Sequence, residues 1–273
     1  MFTYRSTRKF FYHWKRGIKM NWRDKLDKFM EMFEHKSDVI GVLACGSFVT
    51  GSPTTRSDLD VHIILDEATS YRERGNKVVD GLLIEYFANP PRQIRSYFKE
   101  DYQSISPHSQ TQFATGEILL DVTGVMAELK QEAIAMMALN FEDVCPSAHE
   151  LVRYGVWDML DDLLDLYENE RVEFDFVYYS NLDSLIWTYM QQIRQAYDKK
   201  TILGHITSDV IRKKYLLNEL PDENDKKLIQ TCITAKSKKD RIGSYEKLTN
   251  AVLDLMGGFE IDGFRFKSSV SEE

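Results

Sequence analysis

The chain has 273 residues, with 43% hydrophobic and 29% charged residues and a net charge of -8. That length suits one large or two ordinary domains, and the balance is that of a globular protein with enough apolar area for a core, which excludes extended disorder. An acidic surface repels a phosphate backbone, so extended nucleic-acid binding is disfavoured and small or cationic partners are favoured.

Residues 1–20 run against this balance, carrying Arg5, Arg8, Lys9, Lys15, Arg16 and Lys19 with no acid. They read as a short basic-aromatic arm touching membrane or nucleic acid, or as an extension ahead of the fold, with no apolar core of the kind a secretory signal needs. No stretch approaches the roughly 18 apolar residues of a membrane span. Cys45, Cys145 and Cys232 are widely spaced and show no metal-binding pattern, consistent with reduced thiols in a cytoplasmic protein.

Folded structure is expected from residue 21. Leu26, Phe29, Met30 and Phe33 recur at helical spacing behind Asn21, a candidate N-cap. Val39–Cys45 is a short apolar run closed by Gly46-Ser47 and reads as a buried strand, and Leu59–Leu65 reads as another. Lys77–Phe87 gives a third strand, or a pair turning at Asp80-Gly81. A helix is expected around Ile94–Phe98, a strand at Glu117–Asp121, and then a helix capped by Thr123 through Val125, Met126, Leu129, Ile134 and Met137.

From residue 140 strand signals nearly vanish. Helices are predicted over Leu151–Tyr167, Leu182–Tyr197, Ser208–Leu217, Asp222–Ala235 and Ser244–Met256, the last closed by Gly257-Gly258. The fold class is therefore α+β: a mixed sheet flanked by helices over residues 21–139, then an α-helical bundle over 140–273, with the boundary near Cys145.

The chemistry concentrates between residues 46 and 61. On a strand, Asp58 and Asp60 project to one side while Leu59, Val61, Ile63 and Leu65 point to the other, into the core. Two crowded carboxylates need a cation between them, and hard oxygen ligands suit Mg²⁺, which leaves positions for substrate phosphates. Gly46 lets a phosphate approach the backbone. If a helix begins there, its N–H groups and the Ser47 hydroxyl form an anion site. Arg56 is close enough in sequence to reach a phosphate, and His62 shares the face of the aspartates.

Gly46-Ser47, residues 48–57, then Asp58-Leu59-Asp60-Val61, with Gly51 and Ser57 between, resembles the signature of the polymerase-beta-like nucleotidyltransferase superfamily. The likeness extends to the bacterial aminoglycoside and lincosamide branch, which joins this domain to a helical one. It implies that Asp58, Asp60 and a third acid on a later strand, Glu85, are catalytic and hold two Mg²⁺ ions, for which Mn²⁺ can substitute. Gly46, Ser47, Arg56 and Ser57 would contact the nucleotide.

The implied reaction moves a nucleoside monophosphate, AMP from ATP in the leading reading, onto a hydroxyl of a small acceptor, with pyrophosphate leaving. Glu85 or a carboxylate of the helical domain would accept the proton. Asp158, Asp161, Asp162 and Asp165 form one stripe on a helix. They read either as a solvated face or as a wall for a polycation such as an aminoglycoside, while Tyr178, Tyr179, Trp187 and Tyr189 read as core. Transfer to tRNA or protein, or a noncatalytic role, are the alternatives. Oligomerisation is left open.

Overall fold

The computed structural model describes residues 21–139, 141 and 146–267. The basic segment 1–20 and the boundary expected at Cys145 lie outside them. Two compact units are formed. Of the described residues, one contains those up to Lys99 together with His108–Met136, the other Glu100–Pro107 together with those from Met137.

The first unit is a five-stranded mixed sheet with helices on both faces. Helix α1 (Trp22–Met32) precedes strands β1 (Val39–Cys45), β2 (Leu59–Leu65), β3 (Glu73–Val79) and β4 (Leu82–Asn89). Helices α2 (Pro91–Gln103) and α3 (His108–Thr115), strand β5 (Glu117–Asp121) and helix α4 (Val125–Met137) follow. The strand order is β3-β4-β2-β1-β5. β2 and β4 are parallel, and the other neighbouring pairs are antiparallel.

Alternation along the strands divides the apolar residues between two cores. On one face Val42, Ala44, Leu59, Val61, Ile63, Leu65, Leu82 and Ile84 pack with Trp22, Leu26, Phe29 and Phe33 from the α1 side. On the other, Leu43, Cys45 and Ile64 pack with Ile94, Phe98, Phe113, Met126 and Leu129. Burying each large side chain stabilises the unit by about 1.5–3 kcal/mol. Because both faces are covered, β2 is apolar almost throughout, and its polar positions Asp60 and His62 stand out.

β3 and β4 are one hairpin. Asp80 and Gly81 have φ of +45° and +81°, the two left-handed positions of a two-residue turn whose twist matches that of the strands. Lys28 donates to the Asp80 carboxylate at 2.6 Å, tying the turn to α1. The return through β3 lets β4 run parallel to β2 without a crossover helix.

Two caps differ from the expected ones. Asn21 occupies the position before α1 but its side chain caps nothing. Asp121, rather than Thr123, accepts the free N–H groups at the start of α4, from Gly124 at 2.9 Å, Met126 at 3.3 Å and Ala127 at 3.0 Å. A carboxylate ending β5 reaches three donors, which a hydroxyl with one oxygen cannot.

The second unit is helical: α5 (Pro146–Glu168), α6 (Phe174–Gln192), α7 (Ile202–Thr207), α8 (Asp209–Tyr215), α9 (Glu223–Thr234) and α10 (Lys238–Leu255). Its core includes Val156, Leu163, Phe174, Tyr178, Leu185, Tyr189, Tyr245, Leu248 and Val252. Asp222 caps α9, and Gly258 N–H closes α10 onto the Leu253 carbonyl at 2.7 Å. Tyr178 and Tyr189 are buried as expected. Tyr179 and Trp187 are instead about half exposed, at 47% and 49%, because they fall on the face of α6 turned from the core.

Candidate metal and nucleotide site

Strand register brings the three acids together. β2 and β4 pair in parallel with Asp60 opposite Glu85, and Cys45 of β1 pairs with Asp60 from the other side. Asp58 lies just before β2, two residues from Asp60 and on the same side of the chain. Oxygens of Asp58, Asp60 and Glu85 all lie within 4.8 Å of one another, in positions between buried and exposed.

Three like charges this close raise the energy of the ionised state. The Asp60 carboxyl is pushed up from 3.8 to about 6, first by burial and then by the charges of Asp58 and Glu85. The neighbouring Cys45 thiol is also pushed up, by burial and then by Asp60. A donor set made only of carboxylate oxygens, carrying unrelieved negative charge, fits a hard divalent cation.

Glu85 differs from the other two acids. Arg74 of β3 donates to its Oε1 from Nη2 at 2.7 Å and from Nε at 3.2 Å. The guanidinium also lies over the Phe87 ring, 4.8 Å from its centroid. Arg74 was not singled out in the sequence, although the hairpin encodes it: counting back from Asp80-Gly81 pairs Asn76 with Glu85 and Arg74 with Phe87. Arg74 is therefore the diagonal same-face neighbour of Glu85, within reach of a long side chain.

Gly46 sits against the acids. Its φ is +76°, and a Cβ placed there would meet Asp60 Oδ2 at 2.3 Å, so any larger residue would be strained and would push the Asp60 carboxylate aside. The chain beyond it forms a single turn rather than a helix: Thr50 N–H bonds the Gly46 carbonyl and Ser52 N–H bonds the Ser47 carbonyl, both at 3.0 Å. Gly51, at φ +82°, closes that turn in the manner of a helix C-cap. The helix considered for an anion site at Ser47 is thus replaced by a turn one residue after Gly46, with Ser47 at its start.

Ser57 has a local role in the loop before β2. Its Oγ accepts the Thr54 N–H at 2.9 Å, and its own N–H bonds the Thr54 carbonyl at 3.2 Å. This mutual turn fixes the approach to Asp58. Arg56 is exposed, and among the described residues its side chain makes no ion pair.

His62 belongs to the core beside the site. It is 5% exposed, stacks on Phe87 at 5.3 Å and contacts Phe113 at 4.7 Å, and its Nε2 bonds Gln112 Oε1 at 3.1 Å. Burial holds its pKa down at about 4, so it is neutral at physiological pH.

In the second unit the stripe on α5 keeps the expected pattern. Asp161, Asp162 and Asp165 are exposed and Asp158 is half-buried, while Val156 and Leu163 lie in the core with Leu160, Leu164 and Tyr167 packed against it. Cys45 and Cys232 are free and buried. Among the described residues no helix is long and apolar enough to cross a membrane.

Of the comparisons with known proteins, only the family match bears on this region. No curated protein matches the chain. Among solved structures it is similar to a nucleotidyltransferase-like protein from Exiguobacterium sibiricum 255-15, with a TM-score of 0.42 and 12% identity over 86% of this chain and 77% of that one. The family model described as nucleotidyltransferase domain matches residues 26–109, a span that holds Gly46, Asp58, Asp60, Arg74 and Glu85. Over residues 26–109, on the mixed sheet of its first unit, the chain is thus similar to a nucleotidyltransferase domain.

Proposed function

We infer that this protein transfers a nucleoside monophosphate, AMP from ATP in the simplest case, to a hydroxyl of a small acceptor. The observation that carries the reading is the convergence of Asp58, Asp60 and Glu85 oxygens within 4.8 Å, inside the span that matches the nucleotidyltransferase-domain model. Asp58, Asp60 and Glu85 would hold Mg²⁺ or Mn²⁺, which when bound supplies positive charge to the triphosphate oxygens.

The chain's own residues do the rest. Gly46 leaves open backbone beside Asp60, and Ser47, at the start of the adjoining turn, offers a hydroxyl and a backbone N–H toward an anion. The Thr54–Ser57 turn sets Asp58, and Arg56, exposed next to it, offers a cation to a phosphate. The acidic balance of the chain and the exposed carboxylates of α5 favour an amine-rich acceptor of the aminoglycoside kind, by long-range attraction.

The test is direct. The purified protein is incubated with Mg²⁺ and each nucleoside triphosphate in turn, against aminoglycosides, lincosamides, tRNA and protein, and mass spectrometry identifies which acceptor gains a nucleotide. A small amine-rich acceptor gaining a nucleotide, with release of pyrophosphate, is the expected outcome. Modification of tRNA or protein alone would replace the small-molecule acceptor, and no transfer with any acceptor, together with no binding of Mg²⁺-triphosphate, would remove the enzymatic reading.

A further inference from the structure

We propose that Arg74 is a positioning residue for the third carboxylate, holding Glu85 by one oxygen so that the other is presented to a divalent cation. The inference rests on the reading of Asp58, Asp60 and Glu85 as metal ligands. It adds a residue outside that set, on a different strand.

The geometry is specific. Both Arg74 donors that bond Glu85 converge on Oε1, and among the described residues Oε2 takes no protein donor. Neither Asp58 nor Asp60 has a cationic partner among them, so Arg74 acts on one member of the set. The guanidinium is itself held, because it lies on the Phe87 ring at 4.8 Å and that ring is stacked on buried His62 at 5.3 Å. An arginine side chain that is 69% exposed is thereby anchored at its charged end.

A free glutamate loses considerable rotamer freedom when it becomes a ligand. Ordering Glu85 before the metal arrives removes that cost from binding, as hydrogen-bonded partners behind metal ligands do in general. Arginine also carries a charge that repels the metal. The two effects have opposite signs: if orientation dominates, removing Arg74 weakens metal binding, and if charge dominates, removing it strengthens binding. The fork of two donors on one oxygen favours orientation.

The experiment measures Mn²⁺ affinity without nucleotide, by electron paramagnetic resonance, for the wild type and for R74Q, R74K and D58N, with thermal melts in EDTA to confirm folding. We expect R74Q to melt close to the wild type and to bind Mn²⁺ about tenfold more weakly. R74K keeps the charge but loses the fork, and should remain several-fold weaker than the wild type. Wild-type or tighter affinity in R74Q would overturn the proposal, as would wild-type affinity in R74K should R74Q fail to fold. Failure of the underlying metal reading looks different: the wild type itself would bind no Mn²⁺, or D58N would bind it undiminished.

Discussion

Asp60→Asn should make the metal-free protein more stable. The native carboxyl titrates at about 6 against an ordinary 3.8, so the ionised form is disfavoured by the fold, and two pKa units correspond to about 3 kcal/mol. Asp60 retains contact with solvent, and screening reduces the usable figure to about 1–2 kcal/mol. For a chain of this size that is a rise in Tm of roughly 3–6 °C. The sign with pH follows from linkage: because the native value lies above the unfolded one, the penalty is fully present above about pH 6 and fades as pH falls toward 3.8, where both states are protonated. Melts of wild type and D60N in EDTA from pH 8 to pH 4 should therefore converge on the acid side. Adding Mn²⁺ should raise the wild-type Tm and leave D60N little changed, with nucleotidyl transfer lost in the variant. A variant less stable than wild type at pH 8, or a difference that does not vary with pH, would refute the reasoning.

Two further tests use the loop between β1 and β2. Gly46→Ala should destabilise by more than Gly51→Ala. Both adopt positive φ, which costs an alanine about 1–2 kcal/mol, but only at Gly46 does the new Cβ strike Asp60, whereas nothing lies within 4 Å at Gly51. Mn²⁺ affinity should fall for the first and persist for the second, and equal effects would mean that backbone strain alone is being measured. Ser57→Ala removes the acceptor for Thr54 N–H, and should cost about 1 kcal/mol in denaturant melts and loosen Mn²⁺ binding through Asp58. Unchanged affinity would show that the turn does not orient that carboxylate.

Much of the first unit was legible because its strands carry strong signals. The bounds Val39–Cys45, Leu59–Leu65 and Glu117–Asp121 follow from short apolar runs, and the side on which Asp58 and Asp60 stand follows from strand alternation. The first half of β3 was missed because Glu73-Arg74-Gly75-Asn76 is polar, an edge strand recognisable only through its partner. α3 was missed because its buried face mixes Ser109 and Gln110 with Phe113 and Ala114, and Gln110 and Gln112 bond the Phe98 carbonyl and His62, so no apolar stripe marks it. α6 begins at Phe174 rather than Leu182, since its buried residues, among them Tyr178, Thr188 and Gln191, give no clean helical stripe. The proximity of Glu85 to Asp60 needed the parallel pairing of β2 and β4, a long-range contact that no local pattern encodes.

The two-residue turn at Asp80-Gly81 also fixes which side chains stand behind Glu85. Since neighbouring residues of a strand face opposite ways, lengthening this turn by one residue while β4 kept its place on β2 would slide β3 by one position. Arg74 would then pass to the α1 side of the sheet, while Asp60 and Glu85 stayed paired. A single insertion at the rim of the domain, without touching any acid, would thus separate the carboxylates from their arginine. The hairpin's length is therefore constrained by the charge it delivers at its far end as well as by its own folding.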